Sequence, residues 1–160
     1  MNNLSIRPAN TSDLPLLLTM IRELAEAEDF PHGVTLTEAD LRNSLFGARP
    51  AAEALVGEVA GEPAAFAVFY ESFATTTGRR GLHLDDLFVR PRFQGAGYGK
   101  ALMAHIASIA VDRQCARFEW WALRSNASAL RFYDGIGARQ MGELLVHRLQ
   151  GEDIARLARG

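Results

Sequence analysis

A chain of 160 residues with 48% apolar and 22% charged content has the make-up of one globular domain, which excludes fibrous, low-complexity and intrinsically disordered classes. Its formal charge of -2 excludes a general attraction to nucleic acid or to an anionic membrane surface, so a charged partner has to be held by local groups. The N-terminal MNNLSIRPANTSD lacks the basic start and apolar stretch of a secretory signal, and no apolar run reaches the roughly 20 residues of a membrane span, so a cytoplasmic location and no membrane partner are expected.

In chain order, LSIRPA predicts a short first strand. Thr11, Ser12 and Asp13 offer N-caps for a helix whose Leu14, Leu17, Leu18, Ile21 and Leu24 recur at helical spacing, carrying it to about Glu28. Thr37 followed by Glu38, Ala39 and Asp40 starts a second helix, through Leu41 and Leu45 to Gly47, ended by Arg49-Pro50. ALVGEV and AAFAVFY, joined by Ala60-Gly61-Glu62-Pro63, predict an antiparallel hairpin, and GLHLDDLFV the next strand. A helix from about Gly97 to Asp112 and a strand FEWWAL complete a strand-helix-strand unit. Asn126 caps a short helix through Phe132, ended by the pair Gly135 and Gly137, and ELLVHRL predicts a final strand before an amphipathic turn. The alternation is α/β, with no repeat or linker, so residues 1–160 are expected to form a single domain. The lone Cys115 makes no internal disulfide, which agrees with a reducing compartment, and is expected in the core.

The stretch from Arg90 to Arg113 places Gly95, Gly97 and Gly99 between a strand and a helix N-terminus, where unpaired N–H groups and the helix dipole attract anions. Glycines there let the backbone approach a phosphate and adopt positive φ. A magnesium-dependent nucleotide loop of the Walker A type would need Gly at Gln94 and Ser or Thr at Ala101, and a dinucleotide fingerprint would need a different glycine spacing.

Gln94-Gly95-Ala96-Gly97-Tyr98-Gly99 resembles the Q/R-x-x-G-x-G/A loop of the GCN5-related N-acetyltransferases, which bind acetyl-coenzyme A. The resemblance runs from SIRPAN through LDDLFV to NASALRFYDGIGA, nearly the whole chain, and IRELAEAE, LTEADL, LDDLFV and RFYDGIGA are similar to the diamine and polyamine branch, thialysine acetyltransferases included. It implies a mixed, mostly antiparallel twisted sheet of about six to seven strands flanked by about four helices. It also implies an acetyl-CoA-dependent N-acetyltransferase that acts directly on a small amine. Leu87, Phe88 and Val89 would then pair with the pantetheine arm, and Gln94, Gly95, Ala96, Gly97, Tyr98, Gly99 and Lys100 would surround the pyrophosphate. Asn126 would lie beside the cofactor arm, Tyr133 would be the general acid, and Glu28, Asp85, Asp86, Glu119, Trp120 and Trp121 would surround the substrate amine. A homodimer, with ELLVHRL contributing, is implied as well.

The residue types suit the chemistry. Acetyl transfer to an amine requires loss of an ammonium proton, attack on a thioester and a proton for the leaving thiolate, tasks for a carboxylate and a phenol. On a regular strand Asp85 and Asp86 face opposite ways, and Asp85 shares a face with His83, so that pair is expected to accept the amine proton through water. A solvated strand end accounts equally for one of the two aspartates, a hydrogen-bonded strand histidine for His83, and packing beside Leu130 for Tyr133. One of Trp120 and Trp121 is expected in the core and the other at a pocket or subunit contact. His32, His83, His105 and His147 lack metal-ligand spacing, so no metal is expected. The carboxylates favour a small cation: a polyamine, diamine or lysine-like amine. Ala27 and Ser125 depart from the aromatic residues common in the polyamine branch at those positions. A non-catalytic acyl-CoA-binding module and a protein or peptide acetyltransferase are the rival readings.

Overall fold

The computed structural model describes residues 3–30 and 33–160, so His32 lies outside the described residues. Two compact units divide the chain, Met1–Trp121 and Ala122–Gly160. In the first, β1 (Leu4–Pro8) leads through a single 3-10 turn, Thr11–Asp13, into α1 (Leu14–Ala27). Then come α2 (Glu38–Phe46), β2 (Glu53–Val59), β3 (Glu62–Ala74), β4 (Arg79–Val89), α3 (Tyr98–Asp112) and β5 (Arg117–Trp120). The second unit holds α4 (Ala127–Gly135) and α5 (Glu152–Arg159).

Local chemistry sets most boundaries. A capping box between Asn10 and Asp13 opens the turn before α1, and Thr37 with Asp40 does the same for α2, satisfying N–H groups that have no helical partner. Arg7 grips Asp13 with two 2.8 Å hydrogen bonds and reaches Glu58 at 2.8 Å, tying β1 to the α1 entrance and to β2. Ala60 and Gly61, with φ of 51° and 79°, make the tight turn that pairs Val59 with Glu62.

The sheet has the order β1-β2-β3-β4-β5, antiparallel from β1 to β4 and parallel between β4 and β5. Ala54 and Val56 of β2, Phe66 and Val68 of β3 and Phe88 of β4 share one face, where they pack with Leu14, Leu17 and Met20 of α1 and Leu41 and Leu45 of α2. The fully buried Leu14, Leu17, Met20, Val56 and Phe66 each contribute roughly 1.5–3 kcal/mol relative to exposure. The alternate residues, among them Leu55, Ala67, Phe69, Leu82 and Leu84, supply the opposite face, and α3 contacts β1, β3, β4 and β5.

One irregularity matters for the site. Val68 pairs with Asp86 while the next residue, Phe69, pairs with Leu84, so Asp85 is an extra residue, a β-bulge in β4. The bulge resets the alternation. Asp86 joins His83, Tyr70, Val68 and Phe88 on the α1 face, and the expectation that Asp85 shares a face with His83 is corrected.

Four other expectations are corrected. The described residues form five strands and five α-helices rather than six to seven strands and four helices. ELLVHRL runs as irregular chain: a strand exists only with a neighbour to complete its ladder, and among the described residues none pairs with it. Its Leu144, Leu145 and Val146 are 64%, 78% and 59% exposed. FEWWAL stops as a strand at Trp120, where the β4 ladder it follows reaches Leu84 and the bulge begins. Cys115 is half-buried rather than in the core, because it sits in the turn after α3 where Gln114 is left-handed with φ of 55°.

Candidate active site

The glycine loop joins β4 to α3 through a short 3-10 turn, Pro91–Phe93. Gly95 and Gly97 take φ of 82° and 83°, a region costly for any residue with a Cβ, and a Cβ built on either would meet nothing within 4 Å. The loop backbone is therefore bare and open, while Gly99 lies inside the first turn of α3 and has helical conformation. Gly97 is the N-cap, and the first helical bond runs from Ala101 N–H to its carbonyl at 3.0 Å, which leaves the N–H groups of Tyr98, Gly99 and Lys100 ahead of the ladder. Tyr98 turns its side chain into the core and offers its backbone; Lys100 is exposed beside it. Gln94 is a brace, its Nε2 donating to the Val89 carbonyl at 2.8 Å. Arg90 anchors the loop's base through hydrogen bonds of 2.8 and 2.9 Å to Glu23 of α1 and 2.9 Å to the Pro63 carbonyl.

Upstream of the loop, β5 pairs with β4 only over Gly81–Leu84, so the Asp85–Val89 edge carries no β5 ladder. Leu87, Phe88 and Val89 pair with β3 on their other side. An extended arm laid along that edge can take up backbone bonds and reach the glycine cradle at its end. The residues fit an acyl-CoA: an edge for the amide-bearing arm and a helix N-terminus for the pyrophosphate.

The bulge begins where β5 leaves. Here Tyr70 and His83 stack across the ladder at 5.0 Å between ring centroids, and Trp121 sets its ring edge-on to His83 at 4.9 Å. His83 is buried and Trp121 is 58% exposed, so the rings form a wall with one open end. Glu119 pairs with His83 in the ladder and bridges to Arg117 at 3.0 Å, while Trp120 is half-buried with its ring 5.0 Å from Phe118. Asp85 is exposed and Asp86 half-buried. Burial first, then the charges of Asp85 and of Glu28 at the α1 C-cap, push the Asp86 carboxyl up to about 6. Burial and the Asp85 charge push the Tyr70 phenol up as well.

The structure thus brings together Glu28, His83, Asp85, Asp86 and Trp121, with Glu119 beside them and held by Arg117. Tyr70 was missed in the sequence; as the last residue of AAFAVFY it is assigned to His83 only by the register across the turn between Ala74 and Arg79. Asn126 and Tyr133 belong to the second unit. Asn126 is the N-cap of α4, its Oδ1 accepting from Ala129 N–H at 3.1 Å, and Tyr133 is half-buried with its ring 5.3 Å from that of Phe132. Among the described residues no group of three or more His, Cys, Asp or Glu is placed to hold a metal ion.

Comparison with known proteins points the same way. Residues 18–138 match the acetyltransferase (GNAT) family. The chain is 34% identical to thialysine N-epsilon-acetyltransferase of Sus scrofa over 99% of both chains, and 33% identical to that of Mus musculus over 96% of both. Among solved structures it is similar to an integron cassette protein from the mobile metagenome of V. cholerae, with a TM-score of 0.84 and 26% identity over the full length of both chains.

Proposed function

This chain belongs to the acetyltransferase (GNAT) family and is an acetyl-CoA-dependent amine N-acetyltransferase; we propose that its acceptor is the primary amine of a small cation, a polyamine, diamine or lysine-like amine. One observation carries the choice: the carboxylates of Glu28, Asp85 and Asp86 gather beside the Tyr70, His83 and Trp121 rings, at the start of an open strand edge that leads to the glycine cradle. Negative charge and ring faces together recognise an ammonium group.

Acetyl-CoA, as co-substrate, supplies an acetyl group activated as a thioester. The Leu87–Val89 edge holds its arm and the backbone of Gly95, Ala96, Gly97, Tyr98, Gly99 and Lys100 its pyrophosphate, with Gln94 bracing the loop. Asn126 lies beside the arm and Tyr133 protonates the departing thiolate; both roles rest on likeness to the family. Glu28 and the pair Asp85 and Asp86 receive the ammonium and its proton, with Glu119, Trp120 and Trp121 around it. Residues 1–160 act as one acetyltransferase domain, a homodimer supported by the exposed apolar run Leu144–Val146, in a cytoplasm that keeps Cys115 reduced.

The test is thiol release from acetyl-CoA with spermidine, spermine, putrescine, thialysine, lysine and a lysine peptide. Release with the free amines and little with the peptide is expected. Acetyl-CoA binding without release for any acceptor would sink the assignment, and preference for the peptide would move it to protein acetylation. Light scattering at micromolar concentration reads the dimer directly.

A further inference from the structure

The chemistry needs a group to take the ammonium proton, and the bulge in β4 decides which aspartate is built for it. We propose that Asp86, rather than Asp85, accepts the proton from the acceptor ammonium, and that Asp85 passes that proton to solvent. The assignment rests on the amine acetyltransferase reading above and deepens it.

Three observations carry it. The extra residue at position 85 turns the Asp86 side chain to the face that bears Tyr70 and His83, and the ring wall of Tyr70, His83 and Trp121 stands on that face. Asp86 is half-buried there, whereas Asp85 is exposed on the bulge. The charged and titratable groups around Asp86 are Asp85 on its own strand, Glu28 from α1, Tyr70 from β3 and His83 one strand step before the bulge, with Glu119 of β5 already held by Arg117. Two negative neighbours and partial desolvation make its carboxylate more basic than a solvated one, so proton transfer from an ammonium is less uphill to Asp86 than to Asp85. An arriving ammonium first offsets the neighbouring charges and so favours the ionised, accepting form.

The step balances without any other reagent. The ammonium N–H bond breaks and a carboxyl O–H forms on Asp86, leaving the amine its lone pair. The amine nitrogen bonds to the thioester carbonyl carbon and the C–S bond breaks with its pair left on sulfur; the nitrogen gives up a second proton as it becomes the amide, and that proton balances the one the sulfur takes up to become the thiol. The proton on Asp86 leaves by way of Asp85 to water, which accounts for the one proton released in each turnover.

The experiment compares kcat/KM against pH for the wild type, Asp86→Asn, Asp85→Asn and Glu28→Gln, using the panel amine with the highest wild-type kcat/KM. Thermal unfolding and acetyl-CoA binding are measured alongside to confirm folded protein. The wild type should gain activity as pH rises through the acid limb. Asp86→Asn should lose roughly 10² or more in kcat and lose that limb while acetyl-CoA still binds. Asp85→Asn and Glu28→Gln should each weaken amine binding or turnover less than Asp86→Asn does, and should retain the limb but move it to lower pH, because removing a like charge eases the ionisation of Asp86. That shift reads the assignment even if Asp86→Asn folds poorly. An Asp86→Asn enzyme that only raises the amine KM, or an Asp85→Asn enzyme that loses turnover and the limb together, would overturn it. A wild type inactive with every amine would overturn the amine reading itself, and the Asp86 assignment with it.

Discussion

Tyr70 and His83 oppose each other across the ladder of β3 and β4 with ring planes only 26° from parallel, and Trp121 closes on the far side of the imidazole. The imidazole is thus the middle leaf of an aromatic wall and holds the other two rings in place. Replacing it with Ala removes that leaf and lets both rings turn. His83→Ala should raise the KM for a cationic acceptor roughly tenfold, the weight of one lost ring contact with an ammonium, and leave the acetyl-CoA KM unchanged. His83→Phe, which keeps a ring between Tyr70 and Trp121, should restore most of the affinity. Steady-state kinetics with each substrate varied in turn decides it.

Gly97 caps α3 in left-handed conformation with nothing packed against the place of a Cβ. Gly97→Ala therefore pays backbone strain without a steric clash, about 1 kcal/mol of stability. Functionally the variant should raise the acetyl-CoA KM several-fold with the amine KM little changed, since the added methyl group would stand in the cradle proposed for the pyrophosphate. A thermal melt and an acetyl-CoA titration test the two halves.

Tyr133→Phe keeps the ring packed beside Phe132 and removes only the hydroxyl. Loss of the proposed general acid should lower kcat by roughly 10² to 10⁴ with acetyl-CoA affinity spared. Turnover equal to wild type would remove the role.

Asp86 also carries a stability signature with a definite sign. Its folded-state carboxyl titrates near 6, above the ordinary value of 3.8, so the cost of ionising it in the fold is absent below about pH 4 and complete above about pH 6. The raised value corresponds to about 3 kcal/mol before screening, and partial exposure brings this to roughly 1–2 kcal/mol. Asp86→Asn should accordingly melt several degrees higher than wild type at pH 8 and at the same temperature near pH 3.5. A more stable, less active variant would mark Asp86 as a group kept for chemistry at the expense of the fold.

Local chemistry wrote much of this protein into its sequence. The caps at Thr37 and Asn126, the helical spacing of Leu14, Leu17 and Leu24, and the glycines at the head of α3 act within a few residues, and each element appears where those signals lie, whereas the side-chain cap ahead of α1 comes from Asn10, just before the expected Thr11, Ser12 and Asp13, with Asp13 closing the box and making no cap bond of its own to α1. The glycine loop could be read because its neighbours along the chain, a strand and a helix, are what give its N–H groups their direction. Partners across space decided the rest. Counting alternate residues along GLHLDDLFV puts Asp85 with His83, and only the pairing with β3 inserts the extra residue that gives the place to Asp86. The same register brings Tyr70 to His83, and the departure of β5 after Trp120 opens the edge of β4. ELLVHRL has the composition of a strand and no ladder, because a strand is completed by its neighbour and not by its own residues. Side-chain parity in a sheet is cumulative: one bulge, fixed by hydrogen bonds to another strand, reverses every face that follows it.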